Sequence, residues 1–192
     1  MNIVERAKNI LLSPKSEWPV IEAESSSVKS IYMEYLVLLA LIPAVAGFIG
    51  MSLIGYSAFG VSVRTPIVSG IANMILGYAL SLVTVFVVAL IADALTANFG
   101  GQKNPLNAFK LIAFSMTPGL LGGIFSLIPA LGVLGLLASL YGVYLLYLGV
   151  PTLMKVPEDK VAPYTVVLVI CAIVVSVVIG AVVGIASSVG VH

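Results

Sequence analysis

Charge is what this sequence lacks most. Of its 192 residues, 9% are charged and 60% are hydrophobic, where an ordinary soluble domain carries about 25% charged and roughly 45–50% apolar residues. So few charges cannot solvate so apolar a chain, which excludes a water-soluble monomer. Nine basic and eight acidic side chains leave a formal charge of +1. That leaves no clustered basic face to neutralise phosphates, and nucleic acid is excluded as a partner. Cysteine is nearly absent too. Cys171 stands alone, which excludes an internal disulfide and a multi-thiolate metal centre. His192 is the single histidine, at the last position, where a general base is poorly held. No G-x-x-x-x-G-K-[ST], H-E-x-x-H or G-x-S-x-G pattern occurs, so the phosphate cradle, the zinc helix and the nucleophile elbow are all missing. Asp93 is the one aspartate inside an apolar run, too few for an intramembrane aspartyl dyad. An enzyme is not expected, nor a cofactor or a metal.

Long apolar runs, by contrast, are plentiful. Crossing a bilayer as a helix takes about 20 apolar residues, and five runs have that length: 31–54, 67–99, 106–128, 131–154 and 164–189. The expected fold is an all-α membrane protein, with a short amphipathic segment over 1–30 and a five-helix transmembrane domain over 31–192. Open β-structure is excluded within the spans, because lipid offers no partner for backbone polar groups. The second run is longer than a bilayer needs and should tilt or protrude. Only Pro129-Ala130 separates the third run from the fourth, so two full crossings are expected, with a re-entrant pair as the alternative. The opening stretch 1–12 is interrupted by Glu5, Arg6 and Lys8 and shows neither the apolar core nor the cleavage site of a signal peptide, so no segment is expected to be removed.

Orientation follows from the basic residues. With five crossings, one side of the membrane holds Arg6, Lys8, Lys15, Lys29, Lys103, Lys110, Lys155 and Lys160, and the other holds Arg64. Eight against one predicts a cytoplasmic N-terminus and a C-terminus outside. Five helices cannot be divided into two equal inverted halves, the usual transporter plan, and no internal repeat is visible. In the first segment Ile3, Val4, Ala7, Ile10 and Leu11 recur at helical spacing, while Asn2, Glu5, Arg6 and Asn9 are expected to face elsewhere. Ser13-Pro14 ends that helix, and Trp18 in the next piece suits the headgroup level. The segment is expected on the inner leaflet or, equally open, against the cytoplasmic end of the bundle.

Three stretches carry a resemblance to a known family. They are Leu11-Leu12-Ser13-Pro14-Lys15-Ser16-Glu17-Trp18-Pro19-Val20-Ile21 before the spans, Phe99-Gly100-Gly101 with Ala113-Phe114-Ser115-Met116-Thr117-Pro118, and Tyr141-Gly142-Val143-Tyr144-Leu145-Leu146-Tyr147-Leu148-Gly149-Val150-Pro151 running into Lys155-Val156-Pro157. In this order, over nearly the whole chain, they resemble a prokaryotic member of the Yip-domain family, membrane proteins named for interaction with Ypt/Rab GTPases in eukaryotes. The resemblance implies five helices, a cytoplasmic N-terminus and a part in membrane trafficking or organisation.

Some residues within the runs stand out for their chemistry or their size. Glu34, Asp93 and Lys110 each lie near the cytoplasmic end of a run, where a lone charge is costly and an opposite one offsets that cost. They are a candidate intramembrane polar cluster, with separate snorkelling as the alternative. Thr117-Pro118-Gly119 should break the third helix, because Pro118 lacks an N–H and clashes with the turn before it. Ala172, Ser176, Gly180, Gly184 and Ser188 recur every four residues, a small-residue stripe that admits a close helix within the bundle or from a second copy. Taken together, these features predict a multi-pass inner-membrane protein that organises the membrane or acts as an adaptor. Its partners would be the bilayer and a membrane protein or a second copy. The alternative is a small transporter or channel for an ion or lipid, built on the polar cluster.

Overall fold

The computed structural model describes residues 2–58 and 61–189, with side chains left undescribed at 56–58, 61–63, 129, 183 and 185–189. Helix α1 spans Ile3–Leu12 and helix α2 spans Pro14–Ala23. The Asn2 side chain starts α1 by accepting from the backbone of Val4 and Glu5 at 3.1 and 3.3 Å. Pro14 opens α2, where its missing N–H costs nothing. Ser13 is the single residue between them, so the two helices form a tight helical hairpin.

Five helical spans follow, each long and apolar enough to cross a membrane: Val28–Ile54, Ile67–Phe99, Pro105–Leu127, Gly132–Leu153 and Glu158–Val182, the last continuing to Val189. Three of them start earlier than their apolar runs, because polar starters are wound into the first turn. Ser27 and Ser30 cap one another at the first span, and Asn104 accepts from the Asn107 backbone at 3.1 Å ahead of the third. The connection after the first span carries two three-residue strands, β1 (Tyr56–Ala58) and β2 (Val61–Val63), paired antiparallel. They lie outside the spans, so the backbone rule for lipid is respected. Gly100, at φ +77°, closes the second span in the left-handed conformation that glycine adopts without strain.

The third span is the axis of the bundle. Its most apolar stretch is 67% buried, against 11–28% for the other four. The first, second and fourth spans pack on it, and the fifth packs chiefly on the second. The turn joining the third and fourth spans lies beside the far end of the first, where the Ser126 carbonyl is so close to Gly50 that no side chain would fit. With both helices at full spanning length, two crossings fit better than a re-entrant pair.

Tyrosines tie the spans by donating to backbone carbonyls, which bury no unpaired hydroxyl. Tyr32 reaches Leu82 O and Tyr78 reaches Val37 O, at 2.8 and 2.9 Å, so the first and second spans are bonded in both directions. Tyr164 joins the fifth span to the second through Ala92 O at 2.8 Å.

Candidate functional site

The helical hairpin does not lie on a surface. It is docked against the third and fourth spans, with its apolar face in the common core: Ile10, Trp18 and Ile21 are buried. Trp18 is therefore not a headgroup residue. Its ring sits in a notch at Gly149 of the fourth span, where an added Cβ would come within 2.7 Å of the indole. Tyr141 of the fourth span donates to Leu11 O, at the tip of the hairpin, at 2.7 Å. Tyr141 stands twelve residues, about 18 Å at 1.5 Å per residue, from the end of its span at Leu153. The other end of the hairpin is at Lys110, five residues or about 7.5 Å into the third span from Pro105. The hairpin thus occupies one half of the bundle's length and stops near the middle.

A polar seam holds it there. Arg6, expected on the polar side of α1, is buried. It bonds Glu17 of α2 and Glu24 just beyond the end of that helix through its two terminal nitrogens, and its guanidinium lies 5.7 Å from the centre of the Phe114 ring. A buried arginine needs paired carboxylates to offset its desolvation, and here a single helical turnback brings both. Lys110 is buried as well. Its ammonium donates to the carbonyls of Ile21, Glu22 and Glu24 at 2.8, 3.3 and 2.7 Å. These are carbonyls of the last turn of α2 and of its capping residue Glu24, and the cation also meets the negative end of the helix dipole. On the rim, Lys155 pairs with Glu22 at 2.5 Å.

The structure divides the expected polar cluster. Glu34 is exposed and lines, with Lys110, Glu24 and Ser30, a polar cavity of about 240 Å³. Asp93 lines no part of it. Its carboxylate is on the second span within electrostatic range of Tyr164, and one of its oxygens is enclosed without a hydrogen-bond partner. The expectation that Lys110 answers Asp93 is corrected: the lysine's three donors are taken by α2, which a reading of the spans alone leaves out.

The break in the third span lies at Met116, a turn between helical segments Pro105–Ser115 and Thr117–Gly122. Thr117 Oγ1 shares a hydrogen bond with Tyr35 OH at 2.7 Å. Pro118 takes a first-turn position in the new segment, and Gly119 faces Ser139. Of the small-residue stripe, Ala172 is half-buried, while Ser176, Gly180 and Gly184 are exposed. Nothing comes within 4 Å of a side chain built at Gly180. The side chain of Ser188 and all of His192 lie outside the described residues.

Glu17, Glu24 and Gly149 were not singled out by their chemistry beforehand, Trp18 was assigned to the headgroups, and Arg6 to the polar side of α1. For Arg6 a signal existed: it stands three residues after Ile3 and four before Ile10, on the apolar face of α1. The stretches that carried the family resemblance also meet here. Leu11 touches Tyr141, Trp18 touches Gly149, and Phe114 lies beneath Arg6.

Comparison with known proteins agrees with that resemblance. The family model described as the Yip1 domain matches residues 8–180. Two curated relatives, both named Inner membrane protein YohC, come from Escherichia coli K12 and from Escherichia coli O6:H1 strain CFT073. Each is 26% identical to this chain over 151 residues, covering 77% of either partner. No solved structure matches.

Proposed function

The chain belongs to the Yip1 domain family of integral membrane proteins, and from that premise we propose that it organises the membrane around it as an inner-membrane scaffold with no chemistry of its own. The observation that carries this reading is the helical hairpin docked into one half of the bundle. At that half the cross-section holds five spans and two further helices; at the other, among the described residues, it holds the spans alone. The hairpin turns Val4, Leu12 and Val20 outward, each more than half exposed, beside the exposed Glu5, Lys8 and Lys15, and a mixed face of this kind meets lipid at the boundary between headgroups and chains. The eight-to-one distribution of basic residues supports a cytoplasmic hairpin half. The protein is then a wedge, wide in the cytoplasmic leaflet, and favours membrane that is convex towards the cytoplasm. The adaptor role belongs to the same surface, with a membrane-protein partner or a second copy as its target.

Tubes pulled outward from giant vesicles, with the labelled protein inserted hairpin-half outward, test the reading. The wild type should concentrate on the tube relative to the vesicle. Gly149→Val, which evicts Trp18 from its notch, should lose that enrichment. Equal density of the wild type on tube and vesicle overturns the wedge. The transport alternative is favoured by the polar cavity beside Glu34 and Lys110. Ion flux through wild-type proteoliposomes that falls in Glu34→Gln, at the wall of that cavity, would put transport in place of organisation.

A further inference from the structure

We propose that the cleft between the fourth and fifth spans is a binding site for one acyl chain of a membrane phospholipid. This inference is independent of the wedge. The cleft has a volume of about 650 Å³ and draws its walls from all five spans, within the range of about 300–1,000 Å³ typical of ligand pockets. Its exposed rim is Ser139 on the fourth span and Ile173, Ser176 and Val177 on the fifth. Ser139 and Leu146, both in its wall, stand seven residues or about 10 Å from opposite ends of the fourth span. The opening is thus sideways, in the middle third of the bundle's length, at the depth of lipid tails.

The chemistry of the wall selects the occupant. Four hydroxyl residues line the cleft, yet three are committed to their own helices. Thr84 donates to Leu80 O, Ser139 to Gly135 O and Ser176 to Ala172 O, at 2.8, 3.0 and 2.8 Å. The fourth, Ser115, has its oxygen buried without a hydrogen-bond partner, a single unpaired polar group in the wall. What remains in the wall is apolar, including Val88, Ile112, Leu120, Leu146 and Leu168. A water needs two to four polar partners and an ion more, so neither finds a site. A hydrocarbon chain needs none, and it restores the dispersion contacts that an empty cleft forgoes. The fifth span keeps the cleft open: its first half is buried at Val161, Tyr164 and Leu168, and beyond Ala172 it turns exposed.

The test uses the full chain in nanodiscs of phosphatidylcholine, a small share of which carries a diazirine in the terminal half of one chain. After illumination, adducts are mapped by peptide mass spectrometry. The wild type should be labelled at Met116 and Leu146 inside the cleft as well as at the exposed Val133 and Val178. Ala172→Phe fills the cleft, so labelling at Met116 should fall about tenfold, which takes about 1.4 kcal/mol of lost affinity, while Val133 and Val178 are unchanged. Trp18 emission reports whether the variant keeps its fold, and Ser176→Leu gives the same comparison if it does not. Adducts confined to Val133 and Val178 in the wild type, or labelling at Met116 that neither filling variant reduces, would overturn the site.

Discussion

Lys110 stands where an unpaired ammonium would be costly, and the structure answers it with three carbonyls instead of a carboxylate. Lys110→Met keeps the volume and removes the charge, but it strands the last turn of α2. Such a loss costs about 1–3 kcal/mol, so unfolding in detergent should show a destabilisation of that order. Because Asp93 lies elsewhere, Asp93→Asn and Lys110→Met should add to within about 0.5 kcal/mol. Arg6 and Glu17 should behave differently. They form one buried pair, so Arg6→Met with Glu17→Leu should show coupling of about 0.5–3 kcal/mol in a double-mutant cycle. At this scale the sequence was hardest to interpret. Arg6 was expected on the polar side of α1 although its spacing from Ile3 and Ile10 sets it beside them, and nothing local showed that Glu17 and Glu24 would turn back to meet it.

The helical hairpin and the third span depend on one another. Without α1 and α2, the third span would present Lys110 and Phe114 to lipid, and the hairpin alone would have no partner for Arg6 beyond its own carboxylates. Substitutions at the notch should therefore act on the whole element. Gly149→Val places side-chain atoms inside the indole of Trp18, and overpacking of this kind costs about 1–3 kcal/mol. Trp18 is the single tryptophan, so its emission should shift red in this variant as the ring leaves the core. The elements themselves were legible beforehand, because an apolar run of twenty residues has one solution in lipid. The five runs became five helices with ends moved by up to six residues, and the earlier starts of the first and third are traceable to the Ser27–Ser30 cap and to Asn104. Where the amphipathic segment docks was not legible, since an amphipathic face does not name its partner. The small-residue stripe misled in the same way: its spacing is right for close packing, yet Ser176 and Gly180 are exposed, and nothing comes within 4 Å of a side chain built at Gly180.

The whole molecule is an asymmetric bundle, and its asymmetry gives its topology a meaning. Reporter fusions should act as cytoplasmic markers after Ser30 and in the connection around Lys155, and as exported markers after His192. A cytoplasmic C-terminus would reverse the leaflet that the wedge widens. The count of basic residues was sufficient for that expectation, because it depends on sums over loops and not on any contact. The extra width of one half was not readable from it, since it arises from a hairpin that hydropathy leaves outside the spans. The central claim is that this hairpin is docked within the bundle, with Trp18 inside the protein. Quenching of Trp18 in the intact chain in nanodiscs tests it most directly, using iodide from water and nitroxides placed at the headgroups. The docked hairpin predicts blue emission that neither quencher reduces in the wild type, and strong quenching by both in Gly149→Val. Strong quenching of the wild type by headgroup nitroxides would put Trp18 at the membrane surface and contradict the account.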